Sequence, residues 1–354
     1  MGPVGSTSSP SSAAARPPAR VLAVRLGAIG DVVNALVFAT ALKDAYPGVH
    51  LGWVVHPLAA PLVVGHPCVE HVHIWQRGGG WREAARLVRE IRAERYGLAV
   101  DLQRIQKSAL VARLSGAPRV LGHVRARTKE ASWVWTNERV PARAGPFHML
   151  DQYLDIARHL GCDVRAPRRE LPRDAAAEAW ASALVAELGG APVLINVGAS
   201  KPANRWEPER FGALAGALAG EDGVPVCLTG SPDDRPAVMR ALAVSGPHVR
   251  DLSGQTSLLQ LVALTRRSRL FLGCDTGPMH VAAAVGTPVV ALFGPADPVR
   301  TGPYGAGHVV VRVPPPCSPC QRHTCNQPRH ACMQDITVKL ALAAARERLA
   351  LVGA

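Results

Sequence analysis

Aromatic side chains are scarce in this chain, 5% of its residues, so any core it builds must be packed with aliphatic groups. No charge-free apolar run reaches the roughly 18 residues a membrane-spanning helix needs, which excludes that class. The first 19 residues, MGPVGSTSSPSSAAARPPA, lack a continuous apolar stretch and do not read as a secretory signal. Rich in Ser, Pro and Ala, residues 1–19 are expected to form a disordered tail. A cytoplasmic location is expected, and there eight cysteines do not make a disulfide framework. Negative charge is also short: 27 Asp and Glu against 40 Lys and Arg leave a formal charge of +13. That excess points to an anionic partner: a nucleotide, a nucleic acid or an acidic membrane surface. A genome biased toward Arg and Ala explains it equally well. A nucleic-acid binder would interleave aromatics with its basic patch or carry a standard zinc finger, and the sequence does neither.

What is present is a repeated strand–turn–helix pattern long enough for two domains, 354 residues in all. From Arg20 to about Gly161, short apolar strands such as VLAVRL, HLGWVVH and GLAVDL alternate with helical spacings. The Pro- and Arg-rich stretch near Arg165–Arg173 reads as a linker. A second series follows, with PVLINVG, VPVCLTG, RLFLGCD and TPVVALFG as buried strands. The expected organisation is a first domain over residues 20–164, a linker over 165–174, a second domain over 175–335 and a C-terminal helix over 336–354. The fold class is α/β: two doubly wound parallel sheets with helices on both faces and a cleft between them. Ligands are expected at the carboxyl ends of the strands.

Several strands end in glycine turns that carry polar groups. In VRLGAIGDVVNAL, Gly27 and Gly30 stand between a strand and a helix, but the turn lacks the third glycine of a dinucleotide fingerprint and the lysine of a P-loop. It ends in Asp31, a carboxylate that would repel phosphate; a helix cap and a general base both fit it. In FLGCDTGPMHVAAAVG, Asp275, Thr276 and Gly277 precede a helix start, where backbone N–H groups and the Thr276 hydroxyl suit a diphosphate, with His280 one turn on. Plain helix capping fits Asp275 or Thr276 as well. NVGASKPANRW supplies Ser200, Lys201 and Arg205 for phosphate. LTGSPDDRP offers Asp233 to ribose hydroxyls, or forms only a solvated turn. DLQRIQKSAL presents Gln103, Arg104 and Lys107 to an anionic acceptor, or is an exposed helix start. CSPCQRHTCNQPRHAC holds Cys317, Cys320, Cys325 and Cys332; its first pair has metal-ligand spacing, but the rest matches no standard zinc ribbon, and redox-inert thiols fit better. Arg82, Arg86, Arg89 and Arg92 fall at roughly helical spacing, giving either a membrane-facing stripe or a solvated face.

Taken together, RLGAIGDVVNAL, DLQRIQKSAL, GASKPANRW and FLGCDTGPMHVAAAVGTPVVALFGP resemble the heptosyltransferases of glycosyltransferase family 9, from about Arg20 to the C-terminus. DLQRIQKSAL and RTKEASWVWTNERV are closer to the type I enzymes, which add the first heptose to the Kdo of the lipopolysaccharide inner core; the four-cysteine segment resembles that of other members, type II-like enzymes included. The resemblance implies a GT-B fold of two Rossmann-like domains, acceptor in the first and nucleotide sugar in the second. It implies inverting transfer from ADP-heptose to Kdo-lipid A or a related core acceptor, with no cofactor and no catalytic metal. On this pattern Asp31 is the catalytic base and Gly30, Gln103, Arg104 and Lys107 face the acceptor. Asp275, Thr276, Gly277 and His280 match the diphosphate motif, Ser200 and Arg205 the second phosphate loop, and Thr256 the adenine contact. Where the family is expected to carry a lysine, this chain has Asn204, and Lys201 is the expected substitute. The remaining readings are a family member acting on another acceptor or donor sugar, a nucleotide sensor without catalysis, and a basic nucleic-acid-binding protein.

Overall fold

The computed structural model describes residues 16–76 and 78–352. Residues 1–15, most of the expected tail, lie outside the described residues. Residues 16–19 lie against the first domain: the Ala19 carbonyl accepts from His50 N–H at 2.8 Å, and the Arg16 carbonyl from Arg119 at 2.9 Å.

Twelve strands form two parallel six-stranded sheets. The first contains β1 (Arg20–Val24), β2 (His50–Val55), β3 (His71–Ile74), β4 (Leu98–Asp101), β5 (Arg119–His123) and β6 (Glu138–Val140), in the order 3-2-1-4-5-6. The second contains β7 (Val193–Asn196), β8 (Val226–Thr229), β9 (Val249–Asp251), β10 (Leu270–Cys274), β11 (Val289–Leu292) and β12 (Val309–Val311), in the order 12-11-10-7-8-9. Renumbered within its domain, the second sheet has the same topology as the first. Each reverses strand order between its first and fourth strands, and that crevice is where a doubly wound sheet receives ligands. The central strands are buried along their whole length because helices cover both faces.

The helices are α1 (Ile29–Ala45), α2 (Gly80–Ala93), α3 (Gln106–Leu114), α4 (Met149–His159), α5 (Ala175–Glu187), α6 (Pro208–Gly220), α7 (Arg235–Ser245), α8 (Leu258–Arg266), α9 (Gly277–Ala284), the short α10 (Pro298–Thr301) and α11 (Ala331–Gln334), and α12 (Val338–Val352). The sequence of α1 is apolar on all sides, and 12 of its 17 residues are buried. The first domain's apolar core continues across the domain boundary to Val262 and Val281, so α1 is enclosed by its own sheet and by the other domain. In contrast, α2 buries only Leu87 and Ile91 and turns a charged face outward. The stretch between the sheets is pinned on both sides. Arg168 O accepts from Thr40 Oγ1 at 2.6 Å, and Leu171 O from Arg266 at 2.7 Å. Helix α12 places Ala341, Ala345 and Leu349 in the second domain's core. Strands β6, β9 and β12, three residues each, and helix α7 were not legible as elements from periodicity.

Candidate active site

Asp31 follows β1 at the switch point of the first sheet, in the first turn of α1, where the helix dipole favours a carboxylate. Its side chain is 40% exposed, whereas that of its ion-pair partner Arg25 is 5% exposed. Burial opposes the Arg25 charge, but Tyr153, Asp31 and Asp101 outweigh it and hold the guanidinium above its ordinary value. Asp101 ends β4 next door. It accepts from the Gln103 and Arg104 N–H groups at 3.0 Å each and from the Ser108 hydroxyl at 2.6 Å.

The starts of α1 and α9 meet across the domain boundary. A Cβ on Gly30 would lie 2.5 Å from His280 Cδ2 and 3.3 Å from Gly277 Cα, and one on Gly277 would lie 3.1 Å from Ile29 Cβ. The space at Gly30, expected from sequence to admit an acceptor sugar, is filled by His280; the missing side chain serves close approach of two helices. The Asn34 amide nitrogen lies 3.3 Å from His280 Nδ1. With that nitrogen accepting, Nε2 carries the ring proton and points toward Asp275, 4.0 Å away. Burial first, then the nearby His148, lowers His280 to about 4, so the ring is neutral at pH 7.

Asp275 follows β10 at the second sheet's switch point. Burial lifts its carboxyl to about 6, aided by the Asp31 charge and opposed by Lys201 and by hydrogen bonds from Thr301 and Asn204. Asn204 Nδ2 stands 3.3 Å from both the Asp275 backbone oxygen and Oδ2. The asparagine that departs from the family pattern is therefore a partner of the diphosphate-motif aspartate, and the exposed Lys201 shares its recess with Arg300, Thr301 and Arg322. Thr276 is the N-cap of α9, yet its hydroxyl makes no capping bond and is buried without a partner. A buried orphan donor beside the free N–H groups of a helix start is a ready place for a phosphate oxygen.

Other expected donor-site residues surround this point less closely. Ser200 and Arg205 are exposed, with Arg205 Nε donating to Ala199 O at 3.0 Å. Asp233 is exposed, and its neighbour Asp234 packs against the end of β7, lying where a Cβ on Gly198 would sit. Thr256 is half-buried just before the Ser257 cap of α8. Its loop touches the Asp233 turn through Gly254 N–H, which donates to Gly230 O at 2.9 Å.

On the acceptor side the expected trio divides. Gln103 Oε1 accepts from Leu26 N–H at 2.7 Å and steadies the turn before Asp31 rather than facing an acceptor. Lys107 Nζ sits over the Trp75 ring, 5.4 Å from its centroid. Arg104 is buried and donates to Arg127 O at 2.8 Å. Lys129, absent from the sequence-based set, is held below its ordinary value by burial first, then by Arg300, Arg104 and Lys201, while Asp31 opposes the shift. Cations from both domains thus gather around Lys129, which also feels the Asp31 charge.

Among the described residues, the only His, Cys, Asp and Glu group with ligand atoms all within 4.8 Å of one another is His71, His73 and Glu90. Both ring nitrogens of His73 are engaged, by Glu90 at 2.7 Å and the Tyr96 hydroxyl at 2.8 Å, so this is a hydrogen-bonded cluster beside β3. Cys317, Cys320, Cys325 and Cys332 instead line a cavity of about 640 Å³. Burial, then the other three thiols, pushes Cys332 up to about 11. Their segment packs on the phosphate loop, where Ala203 N–H donates to His323 O at 3.1 Å.

Two matching Rossmann-like domains, with polar strand ends facing one cleft, give the protein the GT-B architecture. A model described as glycosyltransferase family 9 (heptosyltransferase) matches residues 84–330, and the chain belongs to that family. It is similar to the lipopolysaccharide core heptosyltransferase OpsX of Haemophilus influenzae, 26% identical over 298 residues that cover 84% of this chain and 85% of the relative. To lipopolysaccharide heptosyltransferase 1 of Pseudomonas aeruginosa it is 29% identical over 320 residues, 86% of this chain and 87% of that one. Among solved structures, E. coli ADP-heptose lps heptosyltransferase II shares the fold with a TM-score of 0.78 at 24% identity, covering 95% of this chain and all of that one. The family expected from the motifs is the family found.

Proposed function

We propose that this protein transfers a heptose from ADP-heptose to the Kdo region of the lipopolysaccharide inner core, with inversion and with Asp31 as general base. The observation that carries the reading is Asp31 itself: a half-exposed carboxylate, ion-paired to buried Arg25 at one switch point, next in the chain to Gly30, which meets the α9 start at the other. The names of the relatives supply the sugar and the core acceptor.

Inversion requires the acceptor hydroxyl to attack the anomeric carbon from the face opposite the leaving diphosphate. A carboxylate within hydrogen-bond reach of that hydroxyl takes its proton as the bond forms. Charge leaving on ADP is met from the second domain by the α9 N–H groups, the Thr276 hydroxyl and Lys201, with Arg300 beside them. If these donors balance the diphosphate charge, the step requires no metal. The transition state is oxocarbenium-like, by analogy with glycoside hydrolysis. Lys129 and Arg104 suit the carboxylates of Kdo, and the lipid of the acceptor brings the enzyme to the anionic inner face of the membrane. Neutral His280 orients the Asp275 side, and the Asp233 and Thr256 loops receive the nucleoside.

The test is a mass-spectrometric transfer assay with purified protein, Kdo-bearing lipid A, a panel of nucleotide sugars and EDTA. Addition of one heptose mass from ADP-heptose alone is the expected result. Transfer of another sugar, or to another acceptor only, moves the protein to a different branch of the family.

A further inference from the structure

Three large apolar side chains of the first domain are conspicuously exposed: Trp81 at 76%, Leu58 at 72% and Val134 at 51%. Each lies in a segment that follows the carboxyl end of a strand. Leu58 comes after β2, Trp81 after β3 in the first turn of α2, and Val134 in the 3-10 turn Ser132–Trp135 after β5. Leu58 and Trp81 therefore share the sheet edge on which Asp31 follows β1, and the crossover turn that holds Val134 is tied to that edge through Trp135.

The segments are joined into one rim by specific contacts. His56, two residues before Leu58, meets the Trp75 backbone oxygen at 2.7 Å. Lys107 lies over the Trp75 ring, and the adjacent Gln106 accepts from the Trp135 indole N–H. Gln76 N–H donates to Glu83 of α2 at 3.2 Å, which ties the Trp81 turn to the end of β3. Aromatic rings on the rim carry cations: Arg82 lies 5.5 Å from the Trp81 centroid, and Arg125 and Arg139 lie 5.7 and 5.4 Å from that of Trp133. Of the cations in residues 123–143, Arg125 and Arg139 lie on this rim, whereas Lys129 belongs to the Asp31 side and Arg143 pairs with Asp155 at 2.7 Å.

We infer that this rim is a membrane-docking surface that seats the Trp81, Leu58 and Val134 side chains in the headgroup–acyl boundary of an anionic bilayer. Indole rings with a cation at hand are suited to that boundary, and arginines and lysines around them attract acidic headgroups. The arginine stripe of α2 does not do this alone. Arg86 is paired with Glu83 and Glu90, and Arg92 donates to Leu114 O at 2.9 Å. The inference rests on the proposed lipid-borne acceptor, which would enter the cleft from the same edge.

The test is flotation with vesicles of phosphatidylethanolamine and phosphatidylglycerol, without acceptor, against phosphatidylcholine vesicles. The full-length wild type should float with the anionic vesicles and not with phosphatidylcholine. Replacing Leu58, Trp81 and Val134 together by Ser should weaken that binding about tenfold or more, since most of the seated apolar area is removed. Transfer to a deacylated, water-soluble acceptor should stay at the wild-type rate, which also shows that the variant folds. Unchanged vesicle binding by the triple variant overturns the inference, as does a wild type that ignores anionic vesicles. A wild-type dimer in solution that the triple variant dissolves also overturns it, because the rim then covers a second copy of the chain. Vesicle binding without any heptose transfer leaves the surface standing and rejects the acceptor reading instead.

Discussion

Arg25 and Asp31 form an ion pair across the turn that joins β1 to α1, with the guanidinium buried and the carboxylate open to the cleft. The pair fixes where the carboxylate points. Replacing Arg25 by Gln should lower turnover at least tenfold, since the carboxylate then loses the buried guanidinium that holds it in place. Arg25→Lys should recover most of the rate. A Gln variant with wild-type turnover would mean that Arg25 only fills space.

The glycines at the domain seam differ in how much room they leave. Gly30→Ala puts a methyl 2.5 Å from the buried His280 ring, whereas Gly277→Ala meets Ile29 at 3.1 Å. Overpacking of the first kind costs about 1–3 kcal/mol. Thermal unfolding should show Gly30→Ala the less stable of the two, with transfer activity falling alongside, because His280 is displaced from Asn34.

Thr276 yields a prediction of opposite signs. Its buried hydroxyl lacks a partner in the unliganded protein, and such a group is destabilising by about 1–3 kcal/mol. Thr276→Val should unfold at the same temperature as the wild type or higher, yet bind ADP about tenfold more weakly, the loss of one hydrogen bond to a charged group. Calorimetric titration with ADP checks the second half, and equal ADP affinity would remove the hydroxyl from the phosphate site.

Much of this site can be read from sequence, because each part announces itself locally. A strand that ends in glycine and passes into a helix is visible at Gly30-Asp31 and at Asp275-Thr276-Gly277. The cations that complete the site are not visible in that way. Arg25 reads as one more residue of the strand VLAVRL, and its partnership with Asp31 exists only once the turn folds back. Lys129 and Arg300 come from different domains and meet through topology alone. Gly30 was legible as a close approach, but not as an approach to another helix. The edge strands β6, β9 and β12 are too short to show a period, and the α2 arginines look equivalent until Glu83 and Glu90 are seen to pair with one of them.

On the proposed function, Asp275 should make ADP binding pH-dependent in a defined direction. Its folded-state value of about 6 lies above the ordinary 3.8, so between those values the folded protein holds a proton that the unfolded chain has released. Stability from this group is therefore lost as pH rises from about 4 to 6, and above 6 the carboxylate repels an incoming diphosphate. ADP affinity should weaken between pH 5 and 7, beyond the change due to ADP's own titration. Asp275→Asn should flatten that extra slope, measured by titration calorimetry across the range. A slope that survives in the Asn variant assigns it to another group.

The central claim is that Asp31 takes the proton of the acceptor hydroxyl. The direct measurement is single-turnover heptose transfer by Asp31→Asn, with ADP affinity and thermal unfolding recorded on the same sample. The account predicts unchanged folding, ADP affinity close to wild type, and transfer slower by about 10²- to 10⁴-fold, the range expected for loss of a general base. Transfer within a few-fold of the wild-type rate would contradict it and leave Asp31 as no more than the ion-pair partner of Arg25; it does not cap α1, whose N-cap is Ala28 with no side-chain bond.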